Sequence, residues 1–182
     1  MRKLILIVAL LLVSGPAAAK ESRVERVMPT SAADDSKPNS DAVPDVYAID
    51  TQFQRVVIVR LKYQTDLLEA LQSIVKKNNI RNAVILSGIG SVRGYSVHAV
   101  SNRTFPSKDT FVKDPEAPAD LVGMNGYVVN GRVHAHVTLA NPDKAFGGHL
   151  EPGTEVFAFA VVTLGILDDK TDLGRVDDKT YR

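Results

Sequence analysis

The tightest constraint on this chain's fold is a dipeptide. Asn130-Gly131 lies between two runs, Leu121 to Val129 and Arg132 to Leu139, the second of which alternates and is rich in β-branched residues. Asn-Gly between such runs is the favoured two-residue type I′ turn, since both central positions require positive φ. The two runs therefore read as an antiparallel hairpin.

The second strand of that hairpin carries His134-Ala135-His136. On a strand, residues i and i+2 point to one face, roughly 6–7 Å apart along the chain. Two imidazoles set that way can close on one cation with Zn–N bonds of about 2.0–2.1 Å. Phe146-Gly147-Gly148-His149 follows, so three of the four histidines fall within 16 positions. A Gly-Gly turn would return His149 as the third ligand. Three histidines without a fourth protein ligand describe an open site, completed by water or substrate. The competing reading is a set of partly buried strand residues that donate to backbone carbonyls. Gly147 and Gly148 favour the metal, because they imply close backbone approach or positive φ beside the third imidazole. His98, far upstream, is a candidate extra ligand.

Residues 1–19 read as a signal peptide: Arg2-Lys3, an apolar run from Leu4 to Val13, and Ala17-Ala18-Ala19 as a cleavage site. The run falls short of the ~20 residues a permanent span needs. The expected fate is export to a periplasmic or extracellular compartment with no stable membrane span after cleavage; a retained anchor is the alternative. Residues 20–50, rich in Ser, Asp, Pro and Ala, read as a disordered tether. Residues 51–167 form one domain, and 168–182 a loose charged tail. Without the signal peptide, 22 − 2 = 20 basic residues face 21 acidic ones, a balance of −1. Such a chain has no general attraction for nucleic acid or anionic membrane. With no cysteine, any transition metal must be held by His, Asp or Glu.

Within the domain, Phe53 to Lys62 reads as a strand. Asp66 caps a helix, with Glu69 three residues on, and Leu67, Leu68, Leu71, Ile74 and Val75 share one face. Asn78-Asn79 supply the stop. Ala83 to Leu86 is a short strand ending in a tight turn at Gly88-Ile89-Gly90, and Ser91 to Val100 is another. Asn102 to Ala119 is a long loop or irregular edge. Thr154 to Leu167 is an apolar strand whose Val156 to Val162 stretch should be covered on both faces, one cover being another subunit. The sum is an α+β fold: a single compact domain with a mainly antiparallel, highly curved sheet and one or two helices.

These residues resemble a family. Gly131 to Ala140, the Asn141-Pro142-Asp143 turn and Phe146-Gly147-Gly148-His149-Leu150 are similar to the plants-and-prokaryotes-conserved (PPC) domain, also called DUF296. The helix from Asp66 to Leu71 and the stretch Ser87 to Val92 match it too, so the resemblance runs from about Phe53 to Leu167. It implies a homotrimer, with His134, His136 and His149 forming a metal site, most plausibly zinc. The family's plant branch joins this domain to DNA-binding AT-hooks, but no Arg-Gly-Arg-Pro core or basic stripe occurs here.

The same histidine pattern is distantly similar to acetolactate decarboxylase, whose three histidines hold a catalytic zinc. That resemblance implies a lyase or hydrolase acting on a small carboxylate ligand at the metal. Glu151 and Glu155 are then acid/base candidates, and Arg132 and Arg93 candidates for gripping the carboxylate. Each also has an ordinary reading, as a solvated turn residue, an edge charge, a strand-start residue or a surface ion-pair partner. A third possibility is an interaction module whose histidines bind nothing. No phosphate loop, dinucleotide fingerprint or nucleophile elbow is present.

Overall fold

The computed structural model describes residues 21–27, 44–104, 106–174 and 176. The signal peptide and most of the tether lie outside these residues. The elements are β1 (Ser22–Val27), β2 (Phe53–Lys62), α1 (Leu67–Lys77), β3 (Ala83–Val100), β4 (Lys108–Asp114), β5 (Ala119–Val129), β6 (Arg132–Ala140), β7 (Ala145–Leu150) and β8 (Glu155–Leu167). All the strand pairings are antiparallel. The α+β expectation holds, with a single helix among the described residues.

The hairpin forms as its dipeptide requires. Asn130 and Gly131 take φ of 49° and 79°, and β5 pairs with β6 in a register that sets Tyr127 opposite His134 and Asn125 opposite His136. The helix begins where Asp66 accepts a hydrogen bond from the Glu69 N–H at 2.9 Å. It buries Leu67, Leu71 and Val75 against the sheet. Asn78 closes it by donating to the Ile74 carbonyl.

Strand β3 organises the rest. Its first half lies between β5 and β8, and its second half between β4 and β7. Because β7 also pairs with β6, the sheet closes on itself through β3, β5, β6 and β7. The core fills the inside, with Leu121, Leu139, Leu150, Val92, Val156 and Val162 fully buried.

Five sequence expectations need correction. Gly88-Ile89-Gly90 is no turn: β3 runs unbroken from Ala83 to Val100, with register shifts around Gly90. The glycines serve close packing instead. A Cβ on Gly88 would sit 2.5 Å from that of Met124, and one on Gly90 would strike β8 backbone. Gly147-Gly148 is likewise strand rather than turn, held between β6 and β3. The stretch expected as a loop contains β4, and the expected tether contains β1, which pairs with β4 along its length. The tail is partly docked: Thr171 and Leu173 are buried, and Asn82 donates to the Thr171 carbonyl at 2.8 Å. Within the single chain β8 is covered on one face, which leaves the other for the second cover the sequence predicts. Val156, Ala160 and Val162 are buried while Phe157 and Phe159 are exposed. No helix among the described residues is long and apolar enough to cross a membrane.

Candidate metal centre

Strand register brings all four histidines to one place. His149 on β7 is the direct partner of His136 on β6 and of His98 on β3. Cross-strand partners share a face, and His134, two residues from His136, shares it as well. The rings of His98 and His149 stack at 4.4 Å, while those of His134 and His136 lie 4.8 and 5.2 Å from His149, nearly perpendicular to it. Phe111 of β4, paired with His98, closes the far side at 4.8 Å. Gly148 makes this possible, since a Cβ there would collide with the His98 carbonyl.

The ring nitrogens are close enough to share a cation. Nε2 of His134 and Nε2 of His136 are 3.3 Å apart. Two nitrogens bound at about 2.0–2.1 Å to one tetrahedral ion would lie about 3.3–3.4 Å apart. Beside this pair, Nδ1 of His98, Nδ1 of His149 and an oxygen of Glu151 also converge. Glu151 Oε1 is 2.7 Å from His98 Nδ1 and 3.5 Å from His149 Nδ1. These three residues offer ligand atoms within 4.8 Å of one another. The His149 Nδ1 atom is buried with no hydrogen-bond partner. A cation would supply one, so the donors fit a metal.

Crowding also sets the protonation state. Burial pushes the His149 pKa down to about 4, and the neighbouring charges of His98 and His134 add to this against the opposing pull of Glu151. His136 reaches solvent at its edge, yet lost hydration lowers its pKa as well, followed by repulsion from His134 and His98. A neutral imidazole is the form that binds metal, so at neutral pH little proton competition stands in the way.

The sequence-derived candidates divide cleanly. His134, His136 and His149 come together, and His98 joins them. Glu151, expected as an acid/base group, enters as a potential ligand, placed by its own N–H, which donates to the Ser96 carbonyl at 3.0 Å. Arg93 and Glu155 pair with each other at 3.4 Å, and Arg93 also donates to the Tyr63 hydroxyl. Both are half-exposed and engaged away from the histidines. Arg132 is exposed at the start of β6. Sequence reasoning missed Asp109, a buried carboxylate on β4 whose Oδ2 lies 3.6 Å from His98 Nε2. No local pattern marks it, because β3–β4 pairing alone brings it to His98. A pocket of about 450 Å³ opens beside the His134–His136 pair, lined also by Asn125, Tyr127, Val84 and Ile85.

The model of the Plants and Prokaryotes Conserved (PCC) domain matches residues 49–168, well over half of the chain. The chain belongs to this family. A plant- and prokaryote-conserved protein of Pyrococcus horikoshii is 23% identical, with a TM-score of 0.55 over 69% of this chain and 87% of that one. A metal-containing protein of Archaeoglobus fulgidus is 24% identical, with a TM-score of 0.53 over 66% and 86%. A Bacteroides thetaiotaomicron protein named for suspected DNA binding is 21% identical, with a TM-score of 0.52 over 67% and 86%. That name runs against the charge-based expectation that nucleic acid is no partner. At these identities the likeness establishes the fold. No curated protein matches the chain. As a family domain, its fold is the closed antiparallel sheet described above, and the histidine cluster sits on β3, β6 and β7 of that sheet.

Proposed function

We propose that this chain is an exported, metal-binding PPC-domain protein that holds zinc between His134 and His136, with His149 as third ligand. The observation that carries this reading is the 3.3 Å separation of the two Nε2 atoms. It is long for an imidazole–imidazole hydrogen bond, whose usual length is about 2.9–3.0 Å, and it matches the span of one tetrahedral ion. Imidazole donors without thiolates suit zinc, copper, iron or nickel, and zinc is the metal the family resemblance implies. The name of the Archaeoglobus relative, a metal-containing protein, is in line with this.

A homotrimer is part of the proposal. Val56 and Ile58 of β2, Ile89 and Leu86 of β3, and Phe157 and Phe159 of β8 are all exposed. The antiparallel register sets these strands side by side. An apolar sheet face of this size marks an interface.

A second reading, a lyase or hydrolase on a small carboxylate metabolite, is favoured by the pocket beside the histidine pair. Zinc bound there would polarise a carbonyl or generate hydroxide near neutral pH. Among the described residues, no arginine or lysine lines the pocket, so a substrate carboxylate would have to bind the metal itself. The Bacteroides relative raises DNA as a third ligand class. A chain of nearly balanced charge predicts no binding to duplex DNA even at low salt.

Elemental analysis of protein purified without chelator or affinity tag tests the main reading. Wild-type protein should retain zinc, with about one equivalent fewer in His134→Ala/His136→Ala. Equal zinc in both proteins, or none in either after zinc is added back, would overturn it.

A further inference from the structure

We infer that a second divalent cation binds next to the His134–His136 pair, held by His98, His149 and Glu151 and backed by Asp109. The inference deepens the metal-binding reading above; it uses no atom of His134 or His136, and it assigns the single lone pair of neutral His149 to the second ion, so that water takes the place of His149 on the first.

His98 has a carboxylate against each ring nitrogen. Glu151 Oε1 stands 2.7 Å from Nδ1, and Asp109 Oδ2 stands 3.6 Å from Nε2. A neutral imidazole has one N–H and can satisfy only one of them. Asp109 is not a solvated surface charge: its side chain is 8% exposed, and its Oδ1 is buried without a partner. A carboxylate is seldom left this way unless a positive charge is nearby.

That charge could be a proton, making His98 an imidazolium between two carboxylates. Such a proton would answer His98 and leave His149 unexplained. Nδ1 of His149 is also buried without a partner, and it faces the same Glu151 oxygen at 3.5 Å. A cation at the convergence of the three donors answers the Glu151 contact on His98 and the bare Nδ1 of His149 at once. It takes the lone pairs of both Nδ1 atoms and the Glu151 carboxylate. The Nε2–H of His98 is then directed at Asp109, the carboxylate–histidine–metal arrangement that fixes a ligand's tautomer and orientation. Two imidazoles and a carboxylate select a first-row divalent metal such as zinc rather than calcium or magnesium.

The test is zinc stoichiometry on the full chain, stripped with chelator, reloaded with Zn²⁺ alone and desalted. Glu151→Gln keeps the shape and removes the charge, and His98→Gln provides an independent variant should either fold poorly; circular dichroism confirms the fold of each. Wild-type protein should carry about one zinc more than Glu151→Gln or His98→Gln, and His134→Ala/His136→Ala should keep the zinc those variants lose. Equal zinc in wild type, Glu151→Gln and His98→Gln would overturn the second site and leave the histidine pair as the metal centre. Zinc lost in those variants but unchanged in His134→Ala/His136→Ala would uphold the second site and overturn the pair.

Discussion

His149 shows how packing prepares a residue for its chemistry. Its imidazole is wedged between two other histidine-bearing strands, and burial pushes its pKa from an ordinary 6.5 down to about 4. The linkage runs in one direction. Above pH 6.5 the ring is neutral whether the chain is folded or not. Between about pH 6.5 and pH 4 the unfolded chain takes up a proton that the native ring refuses, so metal-free stability falls across that window. The loss has an upper bound of about 3.5 kcal/mol, from about 1.4 kcal/mol per pKa unit. Urea midpoints measured with chelator present should therefore drop more steeply in wild type than in His149→Gln as pH falls from 6.5 to 4. Parallel curves would contradict the burial argument. The three histidines were legible in sequence because i,i+2 spacing and a Gly-Gly-His segment are local signals. His98 gained its place, and Asp109 became visible, only once β3 paired with β4 and β7, a contact between segments that no local pattern encodes.

Among the elements, glycine was the residue most easily misread. Gly88, Gly90, Gly147 and Gly148 look like turns in sequence, and all four lie inside strands. Their common role is to let one strand's backbone pass close to a neighbour. The hairpin at Asn130-Gly131 and the helix capped by Asp66 were legible, since each is specified by residues within a few positions of each other. Strands β1 and β4 were not, being short and rich in charged residues without clear alternation, β1 exposed throughout and β4 half-buried. Gly148→Ala tests the close-approach role. A Cβ there meets the His98 carbonyl, which should part β3 from β7 and cost about 1–3 kcal/mol of stability, as overpacking does. Zinc content should fall with it. An unchanged urea midpoint would mean that β7 can shift without consequence.

For the whole molecule, the single chain leaves its construction unfinished on one face. The inner side of the β2–β8–β3 layer is buried, while the outer side presents Ile58 at 72% exposure and Phe159 at 45%. The apolar run of β8 predicts a cover on both faces, and the proposed trimer would place another subunit over this bare side. Ile58→Asp/Phe159→Asp should convert a trimer to monomer in sedimentation equilibrium; a wild-type monomer would remove the interface. The central claim is the ion between His134 and His136. Its most direct test is an anomalous difference map from zinc-loaded crystals, recorded on both sides of the zinc absorption edge. The account predicts a peak bonded to both Nε2 atoms at about 2.0–2.1 Å. A map with no peak between those two rings would contradict it.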